Sequence, residues 1–247
     1  MIVPTPSKRP IALVTGAARR IGRAISQGLA ADGWDVVIHH NESASEADEL
    51  AELLTRDGCR ALPLQCDLTR QDQVEKLLDK CHSALGPPTC LVNNASAFMV
   101  DDAATMTTET WDIHMQANLR APVFLSAAFA RLLPEGELGN IINILDQRVL
   151  RPTDEYFSYT ISKTALWTAT RTMALAFAPR VRVNAVGPGP VLQSIHQSDE
   201  DFCAEVESTL LKRACPPEEI AEAVLFILRS NSMTGGLITL DSGQHLD

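Results

Sequence analysis

The stretch Ile11–Gly22, IALVTGAARRIG, joins a run of apolar residues to the start of an amphipathic helix. Ile11–Thr15 is uniformly apolar before its last residue, as expected of a strand covered on both faces, and Ile21–Ala31 repeats its apolar residues on one helical face. Gly16 and Gly22 allow a tight turn whose backbone amides face outward at a helix N-terminus. The stretch therefore predicts a strand–turn–helix unit that can hold a phosphate group.

The same alternation of short apolar runs and amphipathic segments continues along the chain. We predict long helices over Thr107–Leu133 and Asp154–Ala178, and a capping box that opens a helix at Thr69 and Asp72. The remaining strands are predicted at Val36–His39, Ala61–Cys66, Cys90–Asn93, Asn140–Leu145, Val181–Val186 and Leu237–Leu240. Strands separated by helices predict an α/β fold, a Rossmann-type doubly wound sheet of about seven parallel strands with helices on both faces.

No repeat, low-complexity tract or linker divides the sequence. We predict one domain over residues 11–247, preceded by a flexible N-terminal arm over residues 1–10, which holds three prolines and no apolar signal region. Residues 190–215 are irregular and acidic, and we expect them to form a flap over the ligand crevice, which lies beyond the carboxyl ends of parallel strands.

Composition excludes several classes of protein. The 247 residues carry 21 Lys and Arg against 31 Asp and Glu, a net charge of −10, which argues against nucleic acid or an anionic membrane as the main partner. No apolar stretch reaches the roughly 18–20 residues of a membrane helix. The six cysteines show neither a Cys-x-x-Cys pair nor zinc-ligand spacing, so we expect reduced thiols, no metal site and a cytoplasmic location.

The end of the second predicted strand indicates which dinucleotide the crevice suits. NAD sites carry an acidic residue there, whereas this chain has His40, Asn41 and Ser43, which can donate to a 2′-phosphate. Arg19 and Arg20 add positive charge from the neighbouring turn, although Arg20 replaces a glycine of the dinucleotide fingerprint. We therefore predict NADP(H).

The sequence leaves more than one role open for each of three nearby residues. His39 and His40 are equally well explained as strand-end histidines satisfied by their surroundings. Asp67 can accept from an adenine amino group or cap the helix that follows, and the two roles are compatible.

Tyr159 and Lys163 lie in the second long helix at positions i and i+4, so they share one face. A phenol with a pKa of ~10 exchanges protons poorly at neutral pH, and a nearby ammonium favours the phenolate. Lowering that pKa to ~7 takes about 4 kcal/mol, more than a surface pair supplies, so we expect a partly desolvated site.

Several motifs in order resemble the short-chain dehydrogenase/reductase family, over essentially all of residues 11–243. They are TGAARRIG at 15–22, CDLT at 66–69, NNAS at 93–96, Asn118, the Tyr159–Lys163 pair and GPG at 187–189. The resemblance implies that Tyr159 donates the proton, that Lys163 binds the nicotinamide ribose and lowers the tyrosine pKa, and that Asn118 holds a proton-relay water. It also implies a homotetramer. The cofactor-binding residues predicted from motif and resemblance together are Gly16, Arg19, Arg20, Ile21, Gly22, His40, Asn41, Ser43, Asp67, Leu68, Asn94, Ala95, Ser96, Tyr159, Lys163, Pro188, Gly189 and Val191.

Asp146 stands where that family carries a serine that donates to a substrate carbonyl. An ionised carboxylate opposes a tyrosinate and repels an alkoxide, but it suits a C=N nitrogen that needs a proton, as in a partly reduced pterin. Within the family, Arg20, Ser96, Phe98 and Asp146 together resemble pteridine reductases and dihydromonapterin reductases, in which the counterpart of Phe98 stacks the pterin. The predicted substrate-binding residues are Arg20, Ser96, Phe98, Asp146, Tyr159 and Leu192.

These patterns leave three hypotheses for the function. The leading one is NADPH-dependent reduction of a pterin or dihydropterin, such as a dihydromonapterin, a dihydrobiopterin or dihydrofolate. The alternatives are reduction of a ketone such as a 3-oxoacyl thioester, and a catalytically silent NADP(H)-binding sensor. Phe98 could instead be a packing aromatic and Asp146 a loop-stabilising acid. The chain also departs from the family at Glu42, Gln193 and Ser242, where a basic residue, threonine and glycine are usual.

Overall fold

The computed structural model describes residues 9–194 and 197–246, which build one sheet of seven parallel strands. The strands are β1 (Ile11–Val14), β2 (Asp35–His40), β3 (Ala61–Gln65), β4 (Cys90–Asn93), β5 (Gly139–Ile144), β6 (Val181–Pro188) and β7 (Leu237–Leu240). Their order is β3-β2-β1-β4-β5-β6-β7, which confirms the predicted doubly wound sheet.

The strand order reverses direction at β1. Val14 pairs with Ile38 of β2 on one side and with Val92 of β4 on the other, so the chain winds outward from β1 both ways. The loops that leave the carboxyl ends of β1 and β4 therefore part and leave a crevice between them.

Helices cover both faces of the sheet. They are α1 (Arg20–Ala31), α2 (Ala44–Arg56), α3 (Gln71–Ala84), α4 (Thr108–His114), α5 (Ala121–Leu132), α6 (Phe157–Phe177), α7 (Asp199–Ser208) and α8 (Pro217–Arg229). In β1, Ala12 and Val14 belong to the core under α1, α2 and α8, whereas Ile11 and Leu13 belong to the core under α3, α5 and α6. Burial on both faces explains why the strand is apolar throughout.

The predicted helix Thr107–Leu133 is divided by a π-helical segment, Met115–Arg120, between α4 and α5. The other long helix begins at Phe157 instead of Asp154, because Tyr156 adopts a left-handed backbone (φ 54°, ψ 47°). A residue in that conformation cannot continue a right-handed helix toward its N-terminus.

The predicted capping box at Thr69 and Asp72 is not formed. Helix α3 begins after Arg70 with no side-chain cap, and the Thr69 amide and hydroxyl both donate to Asp67 Oδ1 instead, at 2.9 and 2.8 Å. A local turn thus uses the hydroxyl that the pattern assigned to the helix.

The N-terminal arm and the flap are the two remaining regions of the prediction. Residues 1–8 of the predicted arm lie outside the described residues. Arg9 is anchored, since its guanidinium donates to the Gly33 and Gly58 carbonyl oxygens at 3.0 and 2.7 Å and contacts Asp35. The flap region contains α7, so it is not wholly irregular. Among the described residues, we find no helix with the length and apolar character to cross a membrane and no cluster of metal-ligating side chains.

Candidate active site

The turn after β1 is packed tightly against the loop after β4. Gly16 has a φ of +60°, and a Cβ there would lie 2.9 Å from the Ala95 Cα, so a side chain is excluded on both counts. Asn94 Nδ2 donates to the Thr15 and Gly16 carbonyl oxygens at 2.9 and 3.1 Å, which fixes the turn to β4. The amides at the start of α1 therefore open onto the crevice.

Arg20 keeps the backbone of the glycine that it replaces. Its φ is +53°, a conformation that costs a non-glycine residue roughly 1–2 kcal/mol. Its guanidinium donates to the carbonyl oxygens of Leu192 and Gln193 at 2.8 and 2.9 Å. Arg20 thus ties the turn after β1 to the segment after β6.

A cavity of about 540 Å³ follows the crevice from the β1 turn to the ends of β2 and β3. The predicted cofactor-binding residues that line it are Gly16, Arg19, Arg20, Ile21, Gly22, His40, Asn41, Ser43, Asp67, Leu68, Asn94, Ala95 and Ser96. Glu42 lines it as well, with an exposed side chain.

His39 is a satisfied strand-end histidine, which settles that alternative for it. The Gly16 amide donates to Nδ1 at 3.0 Å, so Nε2 carries the hydrogen and donates to the Cys66 carbonyl oxygen at 2.9 Å. Burial lowers the pKa of His39 to about 4, so its ring is neutral at physiological pH. Its role is to hold the turn against the end of β3.

The far end of this cavity suits a phosphate group. The buried Nδ1 of His40 has no hydrogen-bond partner among the described residues, and Ser43 begins α2 without using its hydroxyl as a cap. Arg19 is exposed and lies 3.6 Å from Glu46. These donors fit a 2′-phosphate, which would compete with Glu46 for the Arg19 guanidinium.

The second part of the crevice, a cavity of about 470 Å³, brings the predicted substrate residues together. Its lining includes Arg20, Ser96, Phe98, Asp146, Tyr159, Lys163, Pro188, Gly189, Val191 and Leu192. The two cavities share Arg19, Arg20, Ile21, Asn94 and Ser96, so they form one continuous crevice.

Asp146 and Tyr159 form a hydrogen-bonded pair in which Tyr159 is buried and Asp146 is half-buried. The Tyr159 hydroxyl donates to Asp146 Oδ2 at 2.9 Å, and the Arg148 amide donates to Asp146 Oδ1 at 2.9 Å. Burial raises the pKa of both groups, and the Asp146 carboxylate further raises that of Tyr159, well above its usual 10. The expected lowering of the tyrosine pKa is therefore wrong for this structure, and Tyr159 is a neutral phenol that holds its proton.

The Lys163 ammonium binds a backbone carbonyl group and not the Tyr159 hydroxyl. Its Nζ donates to the Ile144 carbonyl oxygen at 2.9 Å and lies 5.7 Å from the centroid of the Tyr159 ring. Burial lowers the pKa of Lys163 to about 8, partly offset by the attraction of Asp146. At neutral pH the crevice therefore contains an ammonium close to a carboxyl–phenol pair.

Asn118 lies fully buried in the π-helical segment, and its whole side chain is engaged. Oδ1 accepts from the Ala97 amide and the Ser96 hydroxyl at 2.8 and 3.2 Å, and Nδ2 donates to the Ala97 carbonyl oxygen and the Ser162 hydroxyl at 2.9 and 3.2 Å. Its side chain thus holds the loop after β4 against α6. The proton-relay role that the resemblance implies for Asn118 stays a prediction.

An aromatic wall stands beside the pair, and sequence reasoning missed one of its members. Phe98 stacks on Tyr156 with ring centroids 4.4 Å apart and an interplanar angle of 12°, and it packs edge-to-face with the Tyr159 ring, with centroids 4.8 Å apart and an angle of 83°. The Arg148 guanidinium lies over the Tyr156 ring, 4.9 Å from its centroid. Phe98 therefore has one face covered by Tyr156. The only signal for Tyr156 in the sequence was its place one helical turn before Tyr159.

A second buried group that the sequence did not suggest supports this wall. The Met99 amide donates to His114 Nε2 at 3.1 Å, so His114 Nδ1 carries a hydrogen and donates to Ser158 Oγ at 2.6 Å. Ser158 Oγ in turn donates to Asp101. The chain of bonds fixes the loop that carries Phe98 to the helix turn that carries Tyr159.

Comparison with known proteins agrees with this arrangement. A family model described as Enoyl-(Acyl carrier protein) reductase matches residues 16–245. The granaticin polyketide synthase putative ketoacyl reductase 2 of Streptomyces violaceoruber is 31% identical, over 96% of each chain. Pteridine reductase 1 of Leishmania tarentolae is 31% identical, over 98% of each chain. The crystal structure of FolM alternative dihydrofolate reductase 1 from Brucella suis in complex with NADP superposes with a TM-score of 0.93 at 42% identity, covering 98% of this chain and 97% of that one.

Proposed function

The chain belongs to the short-chain dehydrogenase/reductase family, and from that membership we propose that it is an NADPH-dependent reductase of a dihydropterin. The observation that carries the proposal is the hydrogen-bonded pair of Asp146 and Tyr159, joined at 2.9 Å in the wall of a crevice that also holds Phe98. A carboxyl group and a neutral phenol supply protons to a ring nitrogen, and an aromatic wall suits a flat bicyclic ring.

NADP(H) is the cofactor that the crevice fits. Arg19, His40, Asn41 and Ser43 bring a cation and polar donors to its far end, and the first turn of α1 lines the crevice beside them. The Brucella suis protein, crystallised with NADP, supports the same choice. When bound, NADPH supplies the hydride that reduces a carbon of the substrate C=N bond.

The chain's own residues handle the protons. Tyr159 keeps its proton on Oη and uses it in a hydrogen bond to Asp146 Oδ2. The raised pKa of Asp146 lets that carboxyl group take up a proton more readily than an exposed carboxyl group does. The pair can therefore hold a proton beside the substrate and release it to a nitrogen as that atom becomes basic. Lys163 keeps positive charge next to the pair, which favours replacement of the lost proton.

A ketone reductase is the main competing function, and the similarity to a ketoacyl reductase favours it. The chemistry of position 146 separates the two. When ionised, Asp146 would repel the oxygen of a ketone as it gains negative charge, whereas a serine hydroxyl would stabilise it. The substitution Asp146→Ser should therefore abolish pterin reduction, but should preserve or raise any activity on a ketone.

In the test, the purified protein and NADPH are mixed with one substrate at a time, and the absorbance of NADPH at 340 nm is followed. The substrates are dihydromonapterin, dihydrobiopterin, dihydrofolate and a 3-oxoacyl thioester. We expect turnover of at least one pterin and its loss in Asp146→Ser but not in Asp154→Ser, an exposed acid of the same connection. Turnover of the thioester alone would establish the ketone reductase. Tight NADPH binding with no turnover would establish a sensor.

We also propose that the protein is a cytoplasmic homotetramer. All six cysteines are unpaired and five are buried, which suits a reducing compartment. Phe124 on α5 and Leu175 on α6 are 46% and 84% exposed, so these helices present apolar side chains to a partner copy. Light scattering of the purified protein should give about four times the 26.9 kDa chain mass.

A further inference from the structure

The start of helix α6 is capped by a residue from a distant loop. Tyr156, at the N-cap position, has a left-handed backbone and makes no side-chain hydrogen bond to the helix. Asp101, in the loop after β4, takes its place, since its backbone carbonyl oxygen accepts from the Phe157 amide at 3.2 Å. Asp101 Oδ1 accepts from the Ser158 amide at 3.1 Å, and Oδ2 accepts from the Ser158 hydroxyl. Asp101 thus satisfies the first free amides of the helix, directly beside Tyr159.

The same loop is held on both sides of Phe98. Asn118 binds the amide and the carbonyl oxygen of Ala97, and His114 Nε2 accepts from the Met99 amide at 3.1 Å. His114 ends α4 and Asn118 lies in the π-helical segment four residues later, and both side chains are fully buried. The backbone is therefore fixed immediately before and immediately after the Phe98 ring.

His114 and Asn118 also bind helix α6, through two serines four residues apart. His114 Nδ1 donates to Ser158 Oγ at 2.6 Å, and Asn118 Nδ2 donates to Ser162 Oγ at 3.2 Å. Both serines are fully buried, and the His114 ring lies against the Tyr159 ring with centroids 5.9 Å apart. Two parallel connections thus join the Phe98 loop to the turn of α6 that carries Tyr159.

The connection through His114, Ser158 and Asp101, which we name the Asp101 cluster, has a fixed hydrogen-bond direction. Because the Met99 amide donates to His114 Nε2, the ring carries its hydrogen on Nδ1 and donates to the Ser158 hydroxyl, which donates to Asp101. Burial lowers the pKa of His114, so the ring stays in the neutral form that this direction requires. Removing one member leaves another buried group without a partner.

We propose that the three members of the Asp101 cluster are positioning residues for the reduction, holding Phe98 and the Tyr159 hydroxyl at the separation that the reaction needs. The inference rests on the proposed reductase function. The described residues that line the crevice include none of the three, so the cluster acts through its neighbours. It binds the backbone next to each reacting side chain, and the Phe98 and Tyr159 rings lie with centroids 4.8 Å apart. A small displacement of either ring should therefore slow the chemical step.

Steady-state kinetics with NADPH and dihydromonapterin test the proposal on Ser158→Ala. We expect this variant to lower kcat about tenfold and to leave KM for NADPH unchanged, because the Tyr159 hydroxyl moves while the glycine turn does not. Thr170→Val is the matched control. It removes another fully buried hydroxyl of α6, which accepts from Asn143 Nδ2 at 2.8 Å, and should lower the melting temperature without lowering kcat.

Two substitutions of His114 separate its two hydrogen bonds. His114→Gln keeps an acceptor near the position of Nε2 but no donor to Ser158, so it should lower kcat and leave KM for the pterin unchanged. His114→Asn keeps a donor near the position of Nδ1 but releases the Met99 amide, so it should raise KM for the pterin about three-fold with a smaller loss of kcat. Hydrogen exchange at Met99 should be faster in His114→Asn than in His114→Gln.

The outcomes distinguish positioning from a merely structural role. A Ser158→Ala protein with a lowered melting temperature and the kcat of wild type would overturn the inference, and so would equal exchange at Met99 in the two His114 variants. If Ser158→Ala does not fold, the kcat of His114→Gln decides in its place. Absence of turnover with every pterin would contradict the proposed function alone, because hydrogen exchange would still show whether the cluster holds the Phe98 loop.

Discussion

Lys163 shows how one buried side chain can set the pH range of the whole site. Burial lowers its pKa to about 8, whereas the pKa of Tyr159 is raised well above 10 and that of His39 is lowered to about 4. Of these groups, only Lys163 changes its charge in the weakly alkaline range. Its ammonium is present below pH 8 and is lost as the pH rises through that value.

We therefore expect kcat/KM for a dihydropterin to be level near pH 7 and to fall about tenfold per pH unit above 8, as the ammonium disappears. Rates measured between pH 6 and 10, with a melting temperature recorded at each pH to exclude unfolding, would show this limb. A profile that stays level to pH 10 would mean that the charge of Lys163 is not needed.

Positive φ angles at non-glycine residues mark positions where the sequence pattern and the backbone disagree. Arg20 and Ser242 both stand where the family resemblance expects glycine, and both have a φ of +53°. The backbone of the glycine is thus retained although the side chain differs, and each side chain donates to a carbonyl group across a loop. The sequence predicted the turn at Arg20, but the partners of its guanidinium depend on where the segment after β6 lies, which no local pattern encodes.

At the scale of elements, the Arg20 guanidinium connects the glycine turn to the flap. Two substitutions separate the energetic cost of the left-handed Arg20 backbone from the contribution of its side-chain hydrogen bonds. Arg20→Gly and Arg20→Ala both remove the bonds to Leu192 and Gln193, but only alanine keeps the cost of the left-handed backbone. Arg20→Gly should therefore be more stable than Arg20→Ala by about 1 kcal/mol, which raises the melting temperature by roughly 2–4 °C.

Both variants should also raise KM for the pterin and be cut faster by protease after β6, because the flap has lost its anchor. Thermal melting and limited proteolysis provide the two measurements, and Arg56→Ala, at the end of α2, serves as the control for loss of a surface arginine. Equal melting temperatures for the two Arg20 variants would show that the backbone is not strained, and wild-type protease resistance would show that Arg20 does not hold the flap.

Element boundaries could be predicted wherever apolar periodicity is strong. The strand Cys90–Asn93 is confirmed to the residue, since a buried parallel strand is apolar throughout and ends at polar residues. The π-helical segment around Asn118 and the late start of α6 at Phe157, after the left-handed Tyr156, could not be predicted, because local apolar periodicity signals neither. The predicted lowering of the Tyr159 pKa was wrong for a similar reason. The shift depends on how deeply Tyr159 is buried and on the charge of Asp146 beside it, which the sequence does not show.

At the scale of the whole molecule, a net charge of −10 coexists with a crevice suited to a phosphorylated dinucleotide. Arg19 and Glu42 both line the end of the crevice beyond β2, and Glu46 forms an ion pair with Arg19. The Glu46 carboxylate lies 3.6 Å from the Arg19 guanidinium. Discrimination between NADP and NAD then depends on whether a 2′-phosphate displaces Glu46 from Arg19.

We expect NADP to raise the melting temperature more than NAD at equal concentration. A ligand at 100 times its dissociation constant adds about 2.7 kcal/mol, which corresponds to roughly 5–10 °C for a chain of this size. Arg19→Gln should shrink the shift caused by NADP and leave that caused by NAD, whereas Arg131→Gln on α5 should change neither. Because melting needs no turnover, the result stands whichever substrate the enzyme reduces. Equal shifts with the two dinucleotides would mean that the acidic residues beside Arg19 cancel its attraction for the phosphate.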